Sequence, residues 1–448
     1  MATIFSKQNA NSYLTELANT DSATARLYLL QYGYSSSSFE MPEYYGAQNL
    51  EHISLTPINW LNGEKPLITS PLNFLTPKGH LSWRSFNLLH PYIFIHLVNT
   101  ITTEPAWTEL KSLLSEKTLV NCYSLPKFTK EEDESSKLSG INRWLQMAEN
   151  DLVKDSVNYS FLTVTDIKNF YPSIYTHSIS WAIHGKTVAK ARRHDPVLLG
   201  NKLDKLFQNS RDGQTNGIPV GSMVSDIIAE VLLKDIDKKL TSWIQENHLA
   251  DQIIISRYRD DYRILSKTSE HGKQVLRALS KLLDEYNLVL NSDKTKVYDD
   301  IIEGSFRDWS REINDDYLLR PVKYGKLEDT VTASLLKDIL LKIYQLQKRF
   351  PDGRSSITLL SSLTRHLNKE GVTVEVDKID IHTTISILRK LALIREEVSA
   401  QTYLLLDILL KKVNDQTVIT SIITELLDAV RNEKDHDYQV IWLYRLCL

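Results

Sequence analysis

Two adjacent aspartates, Asp260 and Asp261, stand between two short β-type runs, Ile253–Ser256 (IIIS) and Tyr262–Leu265 (YRIL). No other feature restricts the fold of this chain as much. Apolar runs split by a few polar residues predict a hairpin, and aspartate is depleted in strand interiors. The segment Tyr258-Arg259-Asp260-Asp261 therefore belongs at the hairpin tip. Neighbouring strand residues face opposite sides of a sheet, so only a tight turn brings both carboxylates to one region. An aspartate pair by itself reads as a solvated surface turn. Here another strand run, Phe161–Val164 (FLTV), leads into a third carboxylate, Asp166, and the pair Phe170-Tyr171 follows it. Carboxylates grouped in this way can hold two divalent ions about 3.5–4 Å apart, which clamp the attacking and leaving oxygens of a phosphoryl transfer. Oxygen ligands with open water positions suit Mg²⁺.

The rest of the chain sets the context. Its 448 residues make room for two to four domains at roughly 100–200 residues each. Apolar residues are 42 % and charged residues 24 %, ordinary values for a globular chain. Two cysteines, Cys122 and Cys447, cannot build a disulfide framework or a Cys-rich zinc site. The start lacks a secretory pattern. The longest apolar stretch, Pro91 to Val98, is far short of the ~20 residues of a membrane helix. A cytoplasmic protein with no membrane association is expected. The net charge of −3 divides as −2 over 1–120, 0 over 121–300 and −1 over 301–448. Any nucleic-acid contact must come from local patches or from bound metal ions.

Helical spacing is expected around Ala10–Tyr32 and Ser82–Leu114, with a polar loop, SSSSFEMPEYYGAQN, between them. Over 121–300, strand runs (the three above and Leu288–Leu290) alternate with helices over Ser178–Lys190, Val224–Glu246 and Ser269–Tyr286, an α+β pattern. From about Ala333 onward consecutive amphipathic helices predict an α-solenoid without a strict repeat. The last run, YQVIWLYRLCL, is apolar to its end, so it packs into a partner or precedes a missing continuation. Lys186, Lys190, Arg192 and Arg193 form a basic cluster that reads either as a phosphate or RNA contact or as a solvated helix face. His177 and His184 read as structural. Arg257, Arg259 and Arg263 either offset the carboxylates or touch a primer strand.

Four motifs in order resemble the reverse transcriptases. Asp166 matches the first palm aspartate, and Tyr258-Arg-Asp-Asp261 matches the family's Tyr-x-Asp-Asp. Gly217-Ile-Pro-Val-Gly221-Ser222-Met-Val-Ser225-Asp226 resembles the segment that opens the helix under the primer terminus and incoming nucleotide. Leu288-Val-Leu-Asn-Ser-Asp-Lys294-Thr resembles the later motif whose lysine protonates pyrophosphate. The resemblance implies an α+β right-hand polymerase fold, with fingers and palm. It makes Asp166, Asp260 and the Ile167 carbonyl ligands of Mg²⁺ or Mn²⁺, with Asp261 at the edge of the metal site. It makes Tyr171 the gate against a ribose 2′-hydroxyl and Gly221 a point of close nucleotide approach. Lys294 becomes the general acid, with a solvated lysine as the plainer alternative. Lys127 reads as a triphosphate contact from the fingers or as an ordinary surface lysine.

Two positions depart from the family pattern. Val220 replaces a common glutamine, and Ser225-Asp226 replaces Ser-Pro. With the helical tail, these departures resemble the bacterial antiphage subgroup, the abortive-infection and defence-associated unknown-group enzymes. That likeness implies an all-α, HEAT-like helical-repeat domain in place of a thumb. It also implies dNTP polymerisation without a template, priming from a protein hydroxyl, DNA product attached to the protein, and a homo-oligomer, a trimer or hexamer. A non-coding RNA partner fits the same picture. The expected division is 1–120, helical extension and part of the fingers; 121–300, fingers and palm; 301–325, connection; and 326–448, helical repeats. Two alternatives stay open: a templated enzyme of retron or mobile-intron type, and a non-enzymatic RNA-binding scaffold with a vestigial polymerase fold.

Overall fold

The computed structural model describes residues 5–35, 41–42, 49–79, 82–128, 149–305, 308–351, 353–374, 381–413, 415–431 and 437–447. The chain divides into two units. The first comprises Met1–Ser38, Ala47–Leu72 and Asn87–Ser305, and the second Phe39–Gly46, Asn73–Phe86 and Phe306–Leu448. Most of the polar loop expected after Tyr34 lies outside the described residues.

In chain order the strands are β1 (Leu72–Gly79), β2 (Ser82–Leu88), β3 (Val120–Cys122), β4 (Phe161–Asp166), β5 (Ile253–Tyr258), β6 (Asp261–Ser266) and β7 (Lys296–Tyr298). A five-stranded sheet in the order β3-β5-β6-β4-β7 carries the first unit. Its centre is the antiparallel hairpin β5–β6, with β4 antiparallel on the other side of β6. Leu162, Ile254 and Leu265 pack with Leu152 and Ile301 into one buried cluster on this sheet.

Helices cover the sheet. Of those used below, α1 is Phe5–Asn19, α2 is Pro91–Ile101, α3 is Phe170–Ser173, α4 is His177–His184 and α5 is Lys186–Ala191. Next come α6 (Met223–Glu246) and α7 (Ser269–Asp284). Helix α6 starts where the Ser222 hydroxyl accepts the Ser225 N–H (3.2 Å), a capping contact that satisfies one orphan donor of the first turn. Its apolar positions, Ile227, Ile228, Val231, Leu232, Ile236 and Leu240 among them, are all but fully buried. Helix α7 has a true amphipathic face, with Val275, Leu279 and Leu283 buried.

Three expectations need correction. Ser82–Leu88 is a strand of the β1–β2 hairpin, not the start of a helix. The helix begins at Pro91, whose missing N–H costs nothing at that position, behind His90, whose Nδ1 accepts the Tyr92 N–H. Leu288–Leu290 makes a single bridge, Leu290 to Ile167 just past the end of β4, and the strand that pairs with β4 is β7. The register explains this: Ile167 has already left β4, and the chain must turn through Ser292–Lys294 before it can pair. Ser178–Lys190 is two helices, because Gly185 at φ +80° ends α4 and starts α5.

The second unit is mostly helical but not all-α. It includes residues of the β1–β2 hairpin and a short parallel pair, Thr330–Val331 with Thr373–Val374. Its helices are α8 (Asp308–Asp315), α9 (Leu319–Lys323), α10 (Ala333–Arg349), α11 (Ser355–Leu367), α12 (Ile381–Ile394), α13 (Ser399–Leu410), α14 (Gln416–Arg431) and α15 (Asp437–Cys447). Helix α11 falls within the helical run expected from about Ala333 onward. Among the described residues no helix is long and apolar enough to cross a membrane.

One group makes the stability of this unit depend on pH. Glu396 is 2 % exposed, and burial pushes its carboxyl up to about 8, although the Gln439 and Tyr438 backbone groups at the start of α15 oppose the shift. The folded unit therefore favours the protonated acid. Its contribution is complete below the ordinary glutamate range and is lost as pH rises through about 8. Glu396→Gln is expected to raise stability by about 1–3 kcal/mol at pH 9 and to change it little at pH 4. Thermal melts at both pH values, followed by the fluorescence of buried Trp442, check this. An equal effect at both would refute it.

Candidate active site

The site is built by strand register. Asp166, the last residue of β4, lies directly opposite Asp261, the first residue of β6, so both side chains rise on one face. Asp260 precedes Asp261 in the turn, and its carbonyl accepts the Ile167 N–H (3.2 Å). Sequence distance of about ninety residues thus becomes adjacency through one antiparallel pairing. Like charges directly opposite one another destabilise a sheet. Burial and then the charge of Asp261, with that of Asp166, push the Asp260 carboxyl up to about 7.

The later motif supplies the local counter-charge. The Asn291 N–H donates to the Asp166 carbonyl (2.8 Å), and the Thr165 and Thr295 hydroxyls bond to each other (2.7 Å). Stitched there, the segment points the Lys294 ammonium at Asp166 Oδ2 (2.7 Å). Burial would lower the Lys294 pKa, but the Asp166 bond and the three carboxylates prevail and raise it. Lys294 is half exposed and stays charged at neutral pH. Asp166 Oδ1 is buried and has no hydrogen-bond partner. An orphaned carboxylate oxygen beside two more carboxylates is a donor set that fits a hard divalent cation. Among the described residues no three acidic, histidine or cysteine side chains converge into a ready metal cage. Lys294 occupies one oxygen of Asp166, and the neighbouring carboxylates raise the Asp260 pKa.

The turn itself is strained and tied down. Arg259 and Asp260 are its central residues, and Arg259 has φ +50°, where hairpins favour glycine. Its N–H donates to the Ser124 hydroxyl (2.7 Å), and its carbonyl accepts from Arg257 Nη1 (3.0 Å). Its own guanidinium donates to Asp226 Oδ2 (2.8 Å). Such strain persists only where surrounding contacts over-determine it.

Those contacts are anchored by one stripe of α6: Asp226 binds Arg259 directly, and Glu230 and Asp237 hold Ser124 and Arg257. Asp226, Glu230 and Asp237 fall at helix positions i, i+4 and i+11, on a single face. Arg257 donates to Glu230 Oε2 (3.0 Å) and, from Nε and Nη2, to Asp237 Oδ2 (3.0 and 2.8 Å). The Tyr262 hydroxyl donates to Asp237 Oδ1 (3.1 Å), and Ser124 donates to Glu230 Oε1 (2.6 Å). Cys122 Sγ lies against Glu230 and Arg257 (3.4 and 3.5 Å), and burial pushes this thiol up to about 11. Arg257 is fully buried, so it offsets acids on α6 and touches no strand of nucleic acid. Arg263 is half-buried and interacts with Glu149 and Asp261. Sequence reasoning missed Ser124, Glu230 and Asp237. Three acids on one stripe of an apolar helix were the available signal.

The remaining candidates fall in two groups. The Tyr171 hydroxyl donates to Asp226 Oδ1 (2.6 Å), which links it to Arg259. Its carbonyl accepts the Ile218 N–H (3.0 Å), so α3 lies against the glycine-containing segment. Gly221 is buried at φ +124°, and beside it Val220 exchanges two bonds with Asn87. Lys127 is engaged with α1: it pairs with Glu16 (3.5 Å) and lies over the Tyr13 ring (4.7 Å). In the basic cluster, Lys186 and Lys190 lie over the Trp181 ring and Arg192 pairs with Asp195. His177 pairs with Asp204, and His184 accepts the Gly200 N–H.

Gly217 carries a prediction. It sits at φ +81°, and an added Cβ would run into the Arg211 guanidinium and lie 2.8 Å from the Pro172 carbonyl oxygen. Gly213, at φ +80°, has open space around the same position. Gly217→Ala is expected to cost about 1–3 kcal/mol more than Gly213→Ala in urea unfolding. Equal costs would show that backbone strain alone matters there.

Three carboxylates thus gather at the ends of paired antiparallel strands, with a lysine on one of them and a long helix behind the turn. Residues 111–314 match the family model described as reverse transcriptase (RNA-dependent DNA polymerase). The matched segment is under half of the chain, and the five-stranded sheet β3–β7 lies within it. Among solved structures it is similar to apo telomerase from Candida Tropicalis at 12 % identity and TM-score 0.38, covering 87 % of this chain and 70 % of that one. A form of that telomerase truncated from its C-terminal domain is 15 % identical at TM-score 0.32, with 52 % of this chain covered. The chain spans 50 % of the length of that truncated form. Telomerase from Candida albicans in complex with a TWJ fragment of telomeric RNA is 12 % identical at TM-score 0.35, covering 87 % and 68 % of the two chains.

Proposed function

We propose that this chain is a bacterial antiphage enzyme that polymerises deoxynucleotides without a template, starting from a hydroxyl of the protein itself. The observation that carries the catalytic part is the pairing of Asp166 with Asp261, with Lys294 on Asp166. Asp166, Asp260, Asp261 and the Ile167 carbonyl are the residues that would hold Mg²⁺ or Mn²⁺. Such ions, when bound, activate the attacking hydroxyl and neutralise phosphate charge. The chain's own residues do the rest. Lys294, kept protonated by the carboxylates, gives its proton to the departing pyrophosphate. The Tyr171 ring closes the space beneath the sugar, so a 2′-hydroxyl is excluded. Gly221, without a Cβ, lets the backbone approach the nucleotide, and Lys127 is the candidate for a triphosphate contact.

The finer reading draws on the two departures, Val220 and Asp226, in the segment that handles nucleotide and template. It draws also on the second unit, where α10 packs on α12, α11 on α13, and α13 on α15. Contacts between next-but-one helices fit a stacked helical repeat. Tyr317, Tyr324 and Tyr444 are exposed and are candidates for the priming hydroxyl. A homo-oligomer (trimer or hexamer), DNA product joined to the protein, a non-coding RNA partner and a cytoplasmic location complete the proposal.

The test is incubation of the purified protein with Mg²⁺ and each labelled dNTP, without primer or template, followed by denaturing gels before and after protease. Label that migrates with the protein and is released by protease supports the proposal. Extension of only a supplied RNA–DNA primer-template would move the chain to the templated class.

A further inference from the structure

We infer that Asp226 is the positioning residue that sets sugar selectivity, discriminating 2′-deoxynucleoside from ribonucleoside triphosphates, by tying Tyr171 to the catalytic turn. This inference rests on the reading of Tyr171 as the wall of the sugar pocket. Asp226 lies in the first turn of α6, and its two oxygens serve two elements. Oδ1 takes the Tyr171 hydroxyl (2.6 Å), and Oδ2 takes the Arg259 guanidinium (2.8 Å). Both partners are mostly sheltered, with the Asp226 and Arg259 side chains only 17 % and 20 % exposed. Hydrogen bonds to a charged acceptor in such surroundings are stronger than neutral ones.

The consequence for Tyr171 is mechanical. Its backbone is pinned by the Ile218 N–H (3.0 Å), and one ring edge meets Phe170 at 5.3 Å between centroids. Asp226 pins the far end. A ring held at both ends cannot swing aside, and exclusion by clash needs a wall that does not yield. A proline here would supply no acceptor. The departure at Ser225-Asp226 is therefore a gain of function for the pocket. The other oxygen of Asp226 steadies Arg259 at its unfavourable φ of +50°. One carboxylate thus serves selectivity through Oδ1 and turnover through Oδ2.

The two arms separate experimentally. Full-length Asp226→Ala, Asp226→Asn, Tyr171→Phe, Tyr171→Val and the double variant Tyr171→Phe/Asp226→Ala are compared with the parent chain. Affinities for the four dNTPs and four rNTPs are titrated calorimetrically in Ca²⁺, so no turnover is needed, and incorporation rates are measured in Mg²⁺. Asp226→Ala and Tyr171→Phe are each expected to narrow the dNTP-to-rNTP affinity ratio on the order of 10-fold, and the double variant no further. Asp226→Asn keeps an acceptor for the hydroxyl, so it should retain the ratio while slowing both sugars. An unchanged ratio in Asp226→Ala and Tyr171→Phe, with a collapsed ratio in Tyr171→Val, would overturn the role of Asp226 and leave the gate standing. An unchanged ratio in Tyr171→Val would overturn the gate itself. Should Asp226→Ala melt early, Tyr171→Phe removes the same bond without touching α6, and its ratio decides.

Discussion

Replacing Asp260 and Asp261 together by alanine is expected to reduce nucleotide incorporation by at least about 10³-fold without destabilising the fold. The two halves of this expectation have one cause. The carboxylates stand at the end of β4 and in the β5–β6 turn, close enough for each to raise the cost of ionising the next. Burial and its acidic neighbours push the Asp260 carboxyl up to about 7. A site that repels itself is poised to accept a cation and unstable without one. Alanine removes the repulsion along with the function, so the melting point should hold or rise while activity disappears. Asp260→Asn alone should also raise the melting point, and more at pH 8 than at pH 5, because only the ionised acid is repelled. Lost activity with a lower melting point would mean that the carboxylates are structural.

Arg257→Met has the opposite signature and the largest expected effect on stability. Its guanidinium is fully buried, as is Asp237, and Glu230 is nearly so. Removing one partner of a buried ion cluster leaves uncompensated charge and costs about 3–5 kcal/mol. That is a large share of the roughly 5–15 kcal/mol available to a folded domain. Arg257→Lys should not rescue it, because a single ammonium cannot reach two carboxylates and the Arg259 carbonyl together. Adding Glu230→Gln and Asp237→Asn to Arg257→Met should recover part of the loss, since the orphaned charges go with the cation. Urea midpoints measure all three. A loss under about 1 kcal/mol for Arg257→Met would place the cluster among weak ion pairs.

The strands that carry the carboxylates were legible because their residues obey local rules. IIIS and YRIL are apolar, β-branched or aromatic, and a polar turn divides them. The order of the four motifs was legible too, and the family match over 111–314 bears out the reverse-transcriptase reading. What sequence could not supply was the pairing of β4. Nothing in FLTV says that β4 lies beside β6 rather than β5, and this register alone sets Asp166 opposite Asp261. The stripe Asp226-Glu230-Asp237 was invisible for a similar reason. Acids in a helix read as solvent-facing until the buried arginines opposite them are seen. Ser82–Leu88 misled because a six- or seven-residue apolar-polar run carries too little periodicity to separate strand from helix. The Arg259 backbone conformation has no sequence signal, since hairpins normally place glycine there.

The burial of Cys122 turns the anchor of the Arg259-Asp260 turn into its own reporter. The thiol touches both Glu230 and Arg257 and is held protonated by burial, and the attacking species in alkylation is the thiolate. Iodoacetamide can therefore reach Cys122 only when strand β3 parts from α6 and the ion cluster opens. Cys447, exposed on α15 of the other unit, reacts without any such event and serves as an internal clock. Mass spectrometry of the two alkylated peptides over time would give the fraction of molecules in which this anchor is open, with no engineered label. Each variant of the arginine–carboxylate cluster could then be ranked by how often the native enzyme breathes at that point.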